Sequence, residues 1–207
     1  MIERQAAHSL VLKWIVLQQA FEKRHPPACR SASIVWQITS RLLGAQYSDN
    51  LALLYEAQNN PEAFTVSSYA YHIRKNALGK KLPETASSAT ILASCYFKSG
   101  NYFDAEKYFN IALNAQRALP SSPGLARTVY GLAQLYAGQG KYAEAEPLFK
   151  KALAIQEKAI PEHPDFANTL DAYSELLDRT DRKTAGEETR HRADRIRQTH
   201  DKKNPDN

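Results

Sequence analysis

Residues able to bind metal ions are present in this chain, but their spacing does not form a site. Zinc sites take several histidine or cysteine ligands from short segments, as in the His-Glu-x-x-His helix. None of the six histidines lies in such an arrangement; they are His8, His25, His72, His163, His191 and His200. The sequence therefore predicts no metal site. We expect His163, in a Pro-Glu-His-Pro segment, to shape a turn.

The sequence also gives little support for acid–base catalysis or for a phosphate-binding loop. A general acid–base pair needs two carboxyl groups held in one cleft with different pKa values. The acids at Glu144, Glu146, Glu157 and Glu162 are interpreted as solvated surface residues instead. The eight glycines stand mostly alone at helix ends, so the sequence has no glycine-rich phosphate loop. The pattern indicates no catalytic residue, no cofactor and a protein that is not an enzyme.

The two cysteines, Cys29 and Cys95, are far apart, and neither has a Cys-x-x-Cys neighbour. Lone thiols of this kind are typical of small buried apolar residues in a reducing compartment. A disulfide or a reactive thiol is the alternative interpretation.

The charge of the chain makes nucleic acid an unfavoured partner. The net charge is +5, with 24% charged and 43% hydrophobic residues, which is ordinary for a globular protein. Nine Lys/Arg and six Asp/Glu lie between Arg179 and the end, so much of the surplus is C-terminal. Because acids are interspersed there, the segment has the pattern of a solvated helix.

The N-terminal residues do not have the pattern of an export signal or a spanning helix. Lys13 interrupts the apolar stretch between Leu10 and Leu17, and no small-residue cleavage site follows. A signal peptide needs an uninterrupted apolar stretch of about 7–15 residues, and a spanning helix needs about 20. We expect a cytoplasmic protein with no transmembrane segment. Export or membrane association is the alternative if the true start lies upstream.

An internal repeat is the dominant pattern of the sequence. Shifted by 40 residues, the sequence from Leu92 nearly matches itself: Leu92-Ala93, Tyr96, Gly100, Tyr102, Ala105-Glu106, Phe109 and Ala112-Leu113 fall on Leu132-Ala133, Tyr136, Gly140, Tyr142, Ala145-Glu146, Phe149 and Ala152-Leu153. A fixed period in this range indicates stacked helix pairs. We expect the small Ala133 to face Ala145 within a pair, and Phe149 to fill the space between pairs.

The repeat divides the chain into predicted parts. Residues 1–45 are expected to form a capping helix pair closed by Gly44, and residues 46–178 to form the repeats. The units run about 46–82, 83–122, 123–164 and 165–200, the last being degenerate. Residues 179–207 are expected to form a polar capping helix, begun by a Thr184/Glu187 capping box, and a disordered basic tail after about Thr199.

These residues carry a family resemblance. The alternation of Leu-Ala, Tyr, Gly-x-Tyr, Ala, Phe and Ala-Leu resembles the tetratricopeptide repeat, in the 40–42-residue form of kinesin light chain. The match is specific in 125–170, good in 85–124, fair in 46–82 and weak in 165–200. The resemblance implies an all-α, right-handed superhelical solenoid of antiparallel helix pairs. A HEAT-like solenoid of similar period is the alternative.

The resemblance also implies a concave groove, lined by the first helix of each unit, that binds a peptide. The first-helix positions not used by the core are Asp49, Leu53, Glu56, Thr90, Ser94, Phe97, Lys98, Arg127, Tyr130, Gln134, Asn168, Asp171 and Glu175. Kinesin-light-chain-type repeats often place paired asparagines here, but only Asn50 remains, so that family's cargo preference does not transfer. With acidic ends and a central Arg127/Tyr130, the groove is predicted to hold a segment with basic flanks and an apolar or aromatic anchor.

The predicted function is therefore a protein-interaction scaffold that binds a partner peptide or surface. The alternative is a regulatory, nucleic-acid-binding or membrane-associated adaptor that uses the basic C-terminal segment. A third hypothesis uses residues 8–21 as a docking helix for a membrane or secretion complex.

Overall fold

The computed structural model describes residues 30–58, 60–79, 82–117 and 122–204. These residues form eight helices and no strand, in four consecutive pairs. The pairs are α1 (Arg30–Ala57) with α2 (Glu62–Leu78), α3 (Pro83–Lys98) with α4 (Tyr102–Gln116), α5 (Pro123–Gly138) with α6 (Tyr142–Ala159), and α7 (Pro164–Arg179) with α8 (Lys183–Lys203). The predicted helices before residue 30 lie outside the described residues.

Glycines and polar residues form the turns between several helices. Gly100 and Gly140 adopt φ angles of 79° and 75° in the turns inside the second and third pairs, a region that costs side-chain-bearing residues free energy. Asn101 caps α4 by accepting a hydrogen bond from the Asp104 N–H, and Ser122 caps α5 in the same way. His163 Nδ1 accepts from the Asp165 N–H, so the turn-shaping role expected for His163 is confirmed.

Three predicted boundaries were wrong. Helix α1 runs through Gly44, which is buried and whose carbonyl accepts a hydrogen bond from Ser48 Oγ at 2.8 Å; burial against neighbours outweighs glycine's weak helix propensity. Helix α8 begins at Lys183 without a side-chain cap, so the Thr184 capping box does not form. The same helix continues past Thr199 to Lys203, whose ammonium pairs with Glu162 at 2.5 Å.

Two phenylalanines fill the spaces between pairs. Phe109 on α4 and Phe149 on α6 are 0% and 1% exposed and contact the first helix of the next pair. Gly131 on α5 leaves room for the Phe109 ring, because a Cβ at this position would overlap it. Ala133 and Ala145 are both fully buried in one cluster with Phe149, which confirms the predicted close approach of α5 and α6.

The last pair replaces these apolar contacts with charges. Arg190 stands in the repeat position of Phe149, and Asp178 in that of Ala137. Instead of filling a core, they form an ion pair at 2.9 Å, with 42% and 33% of the side chains exposed. Because charged groups are costly to bury without compensation, this end of the array does not favour stacking of a further pair.

Candidate partner-binding groove

The stacking pattern makes one side of the array concave. Within the described residues, the first helices of adjacent pairs contact one another: α1 contacts α3, α3 contacts α5, and α5 contacts α7. The second helices of adjacent pairs make no such contact in the same part of the chain. Neighbours that touch along one side and separate along the other form a curved array. The first helices therefore line the inner surface.

Most predicted groove residues are accessible on these helices. Exposed side chains are Lys98, Arg127, Asn168 and Glu175, and half-buried ones are Leu53, Glu56, Ser94, Phe97, Tyr130, Gln134 and Asp171. Phe97 was predicted as a groove residue; its half-buried ring lies against Gly138, with its centroid 6.0 Å from that of the Tyr102 ring. It therefore belongs to the wall of the groove.

Asp49 and Thr90 were assigned to the groove, and the structure corrects both assignments. They are 4% and 3% exposed. Asp49 pairs with Arg74 of α2 and accepts a hydrogen bond from Ser88 Oγ at 3.0 Å. Thr90 Oγ1 lies 2.7 Å from Thr128 Oγ1. Helical spacing placed both on the inner side, but the next first helix covers them.

The centre of the groove combines a cation with a fixed tyrosine. Arg127 is exposed on α5, one turn before Tyr130. The Tyr130 hydroxyl accepts a hydrogen bond from Gln134 Nε2 at 2.7 Å, and its ring contacts Phe149 with centroids 6.2 Å apart. Burial, helped by the nearby Glu175, raises the pKa of Tyr130 to about 12, so the hydroxyl keeps its proton at neutral pH.

The ends of the groove are less acidic than the sequence suggested. Asp171 is paired with Arg197 of α8, which offsets its charge. Glu56 is paired with Lys98 at 3.4 Å, and Lys98 Nζ also donates to the Glu56 carbonyl at 3.0 Å. Glu175, on α7 of the last pair, remains exposed. The predicted pattern of two acidic ends is therefore reduced to one exposed acid.

The described residues offer little support for a metal site, a reactive thiol or a membrane span. They contain no group of three or more His, Cys, Asp or Glu side chains placed to hold a metal ion. The Cys95 thiol is free and buried, and burial raises its pKa, which disfavours the reactive thiolate. Cys29 lies outside the described residues. No helix in the described ranges is long and apolar enough to span a membrane.

Four stacked helix pairs with an open inner surface define a helical-repeat protein. The family is given by the sequence itself: a tetratricopeptide repeat model matches residues 84–158 and 126–185. The chain belongs to the tetratricopeptide repeat family, in agreement with the predicted right-handed solenoid. That architecture is in general a non-enzymatic scaffold for protein interactions. No curated protein matches the sequence.

Solved structures share the fold at low sequence identity. BtubC (BKLC) from P. vanneervenii has 20% identity and a TM-score of 0.65, over 94% of this chain and 82% of that chain. A putative kinesin light chain from Podosopora anserina with TPR-like repeats has 20% identity and a TM-score of 0.63, over 97% and 91%. Aspartyl phosphate phosphatase F from Bacillus subtilis has 18% identity and a TM-score of 0.64, over 77% of this chain and 42% of that one. At these identities the similarity supports the fold alone.

Proposed function

We propose that this protein is a non-enzymatic scaffold that holds a protein or peptide partner on the inner surface formed by α1, α3, α5 and α7. The observation that carries the proposal is the contact between successive first helices, which makes that surface concave and continuous. A preformed rigid surface reduces the ordering cost of binding, so a short segment can be held there.

Arg127 is the residue on which recognition is proposed to depend most. It is exposed near the middle of the inner surface, beside the Tyr130–Gln134 hydrogen bond. A guanidinium binds a carboxylate through two parallel hydrogen bonds, which gives both strength and orientation. We infer that the partner segment places an acidic residue at Arg127 and a basic residue toward Glu175.

The test is affinity capture from the native cell extract, with identification by mass spectrometry. Wild type is compared with Arg127→Glu and with Arg117→Glu, a matched reversal at an exposed position at the end of α4, away from the inner surface. The proposal expects the captured protein to be lost with Arg127→Glu and retained with Arg117→Glu. Equal capture by all three proteins would remove the inner surface from consideration.

The structure gives less support to the adaptor that would use the basic C-terminal segment. Arg182, directly before α8, and Arg192 and Lys203 of α8 pair with carboxylates of the preceding pair or loop. Arg190 and Arg197 pair with Asp178 and Asp171 of α7. Cations held in this way are less available to phosphate groups, so we favour the scaffold.

A further inference from the structure

The three junctions between successive pairs differ at one repeated position. The first junction is the contact of α1–α2 with α3–α4. The second is that of α3–α4 with α5–α6, and the third is that of α5–α6 with α7–α8. One residue after the buried alanines Ala105 and Ala145, the second helix carries Glu106 and Glu146. After the corresponding Ala63 it carries Phe64, so an aromatic ring replaces a carboxylate at the first junction only.

Polar contacts close the later junctions at this position. At the second junction, the Tyr136 hydroxyl donates to Glu106 Oε1 at 2.8 Å, and Lys141 lies over the Tyr136 ring at 5.6 Å. At the third junction, Arg182 donates to both oxygens of Glu146 at 2.9 Å. The Tyr136–Glu106 and Arg182–Glu146 contacts each join the second helix of one pair to the first helix or turn of the next, whereas Lys141 covers the Tyr136 ring within its own pair.

Among the described residues, the first junction has neither the carboxylate nor the cation of these contacts. Phe64 contacts the Tyr96 ring edge to face, with centroids 4.9 Å apart. Asn101 occupies the repeat position of Lys141 and Arg182, but its side chain is hydrogen-bonded to Asp104 at the start of α4. Two neighbouring positions are also smaller: Asn60 replaces the tyrosine of the later turns, and Cys95 replaces Leu135.

The result is a cleft of about 540 Å³ at the first junction. Its lining includes Pro61, Phe64, Cys95 and Tyr96, with the paired Glu56 and Lys98 at one side. Phe64 is 39% exposed, so its ring is only partly covered by the protein. An apolar cavity of roughly 150 Å³ is enough to hold benzene, and ligand pockets are commonly about 300–1,000 Å³. An aromatic side chain therefore fits.

We propose that this cleft binds an aromatic side chain of the partner segment. The walls offer ring edges and a sulfur atom, which are favourable neighbours for another aromatic ring. Glu56 and Lys98 belong both to the cleft and to the inner surface, so one bound segment can reach both. This inference rests on the proposed scaffold function and adds a site for the anchor of the partner segment.

The test uses small probes and does not need the partner. N-acetyl-phenylalaninamide is titrated into the 207-residue protein, with N-acetyl-glutaminamide as the polar control, and amide shifts are followed by ¹H–¹⁵N NMR. The proposal expects saturable shifts at Phe64, Cys95 and Lys98 with the aromatic probe only. The double variant Phe64→Glu/Asn101→Arg copies the Glu146–Arg182 closure of the third junction. It should weaken the probe at least about tenfold while the protein stays folded.

Each outcome decides the proposal. Saturable shifts at the cleft that the double variant abolishes support it. Absence of saturable shifts, equal shifts with both probes, or saturation at another surface overturns it. If the double variant does not fold, Cys95→Leu, which copies Leu135, fills the same space and serves as the second blocking variant. Loss of capture with Arg127→Glu beside a failed probe titration would leave the scaffold standing and remove only the cleft.

Discussion

Arg74 of α2 and Asp49 of α1 form a buried ion pair, with only 4% and 6% of the two side chains exposed. The last repeat carries the same pair at the same repeat positions, as Arg197 and Asp171, but there the side chains are 38% and 35% exposed. The difference is the next pair of helices: Ser88 of α3 covers the first ion pair, and nothing in the described residues stacks on the second.

Asp49→Ala should destabilise the protein by about 3–5 kcal/mol, because it leaves the Arg74 guanidinium buried without its counter-charge. Asp171→Ala is the matched control and should cost less than about 1 kcal/mol, since its pair is open to solvent. Urea denaturation followed by circular dichroism measures both. Similar losses for the two variants would show that burial does not set the strength of this pair.

Gly131→Ala should lower stability even though alanine is the better helix former. The new Cβ would overlap the Phe109 ring, and overpacking of this kind costs about 1–3 kcal/mol. Gly131→Ala should cost less stability when Phe109 is already replaced by leucine, because the smaller side chain makes room for the new Cβ. A double-mutant cycle from thermal unfolding tests the coupling; strictly additive effects would contradict it.

Glu146 should make the third junction sensitive to acid. Hydrogen bonds from Arg182 and Lys150 lower the pKa of Glu146 from 4.5 to about 2. Because the folded-state pKa is below the unfolded one, this stabilisation is present above about pH 4.5 and is lost as the pH falls toward 2.

Glu146→Gln should therefore cost roughly 1 kcal/mol at pH 7, since the pair is partly screened, and less at pH 3. Urea midpoints at the two pH values provide the measurement, with Glu144→Gln at an exposed site on the same helix as control. A cost that does not change between the two pH values would contradict the assignment.

Asp181→Gly should stabilise the last repeat. Asp181 has a φ of 58°, in the turn where Gly100 and Gly140 stand in the earlier units. The left-handed region costs side-chain-bearing residues about 1–2 kcal/mol, less for aspartate, and glycine's greater freedom in the unfolded chain offsets part of the gain. We expect a net gain of about 0.5 kcal/mol, seen as a higher Tm. A lower Tm would show that the Asp181 side chain contributes more than its backbone costs.

The sequence by itself determined the repeat architecture. Glycine turns, proline helix starts and buried alanines act locally and recur at a fixed period, so they define helices and pairs without knowledge of the fold. The Ala133–Ala145 contact, the Asn101 and Ser122 caps and the turn role of His163 were all predictable for this reason.

Tertiary structure decided which inner-side residues remain free. A helical wheel assigns Asp49 and Thr90 to the inner side, but only the stacked neighbour reveals that Ser88 and Thr128 cover them. The cleft beside Phe64 depends likewise on residues of two pairs, Pro61 and Phe64 from one, Cys95 and Tyr96 from the next. Burial and cavities are properties of packed surfaces, whereas turns and caps are properties of short segments, and this is why the sequence predicted most turns but not the burial of Asp49 and Thr90 or the cleft beside Phe64.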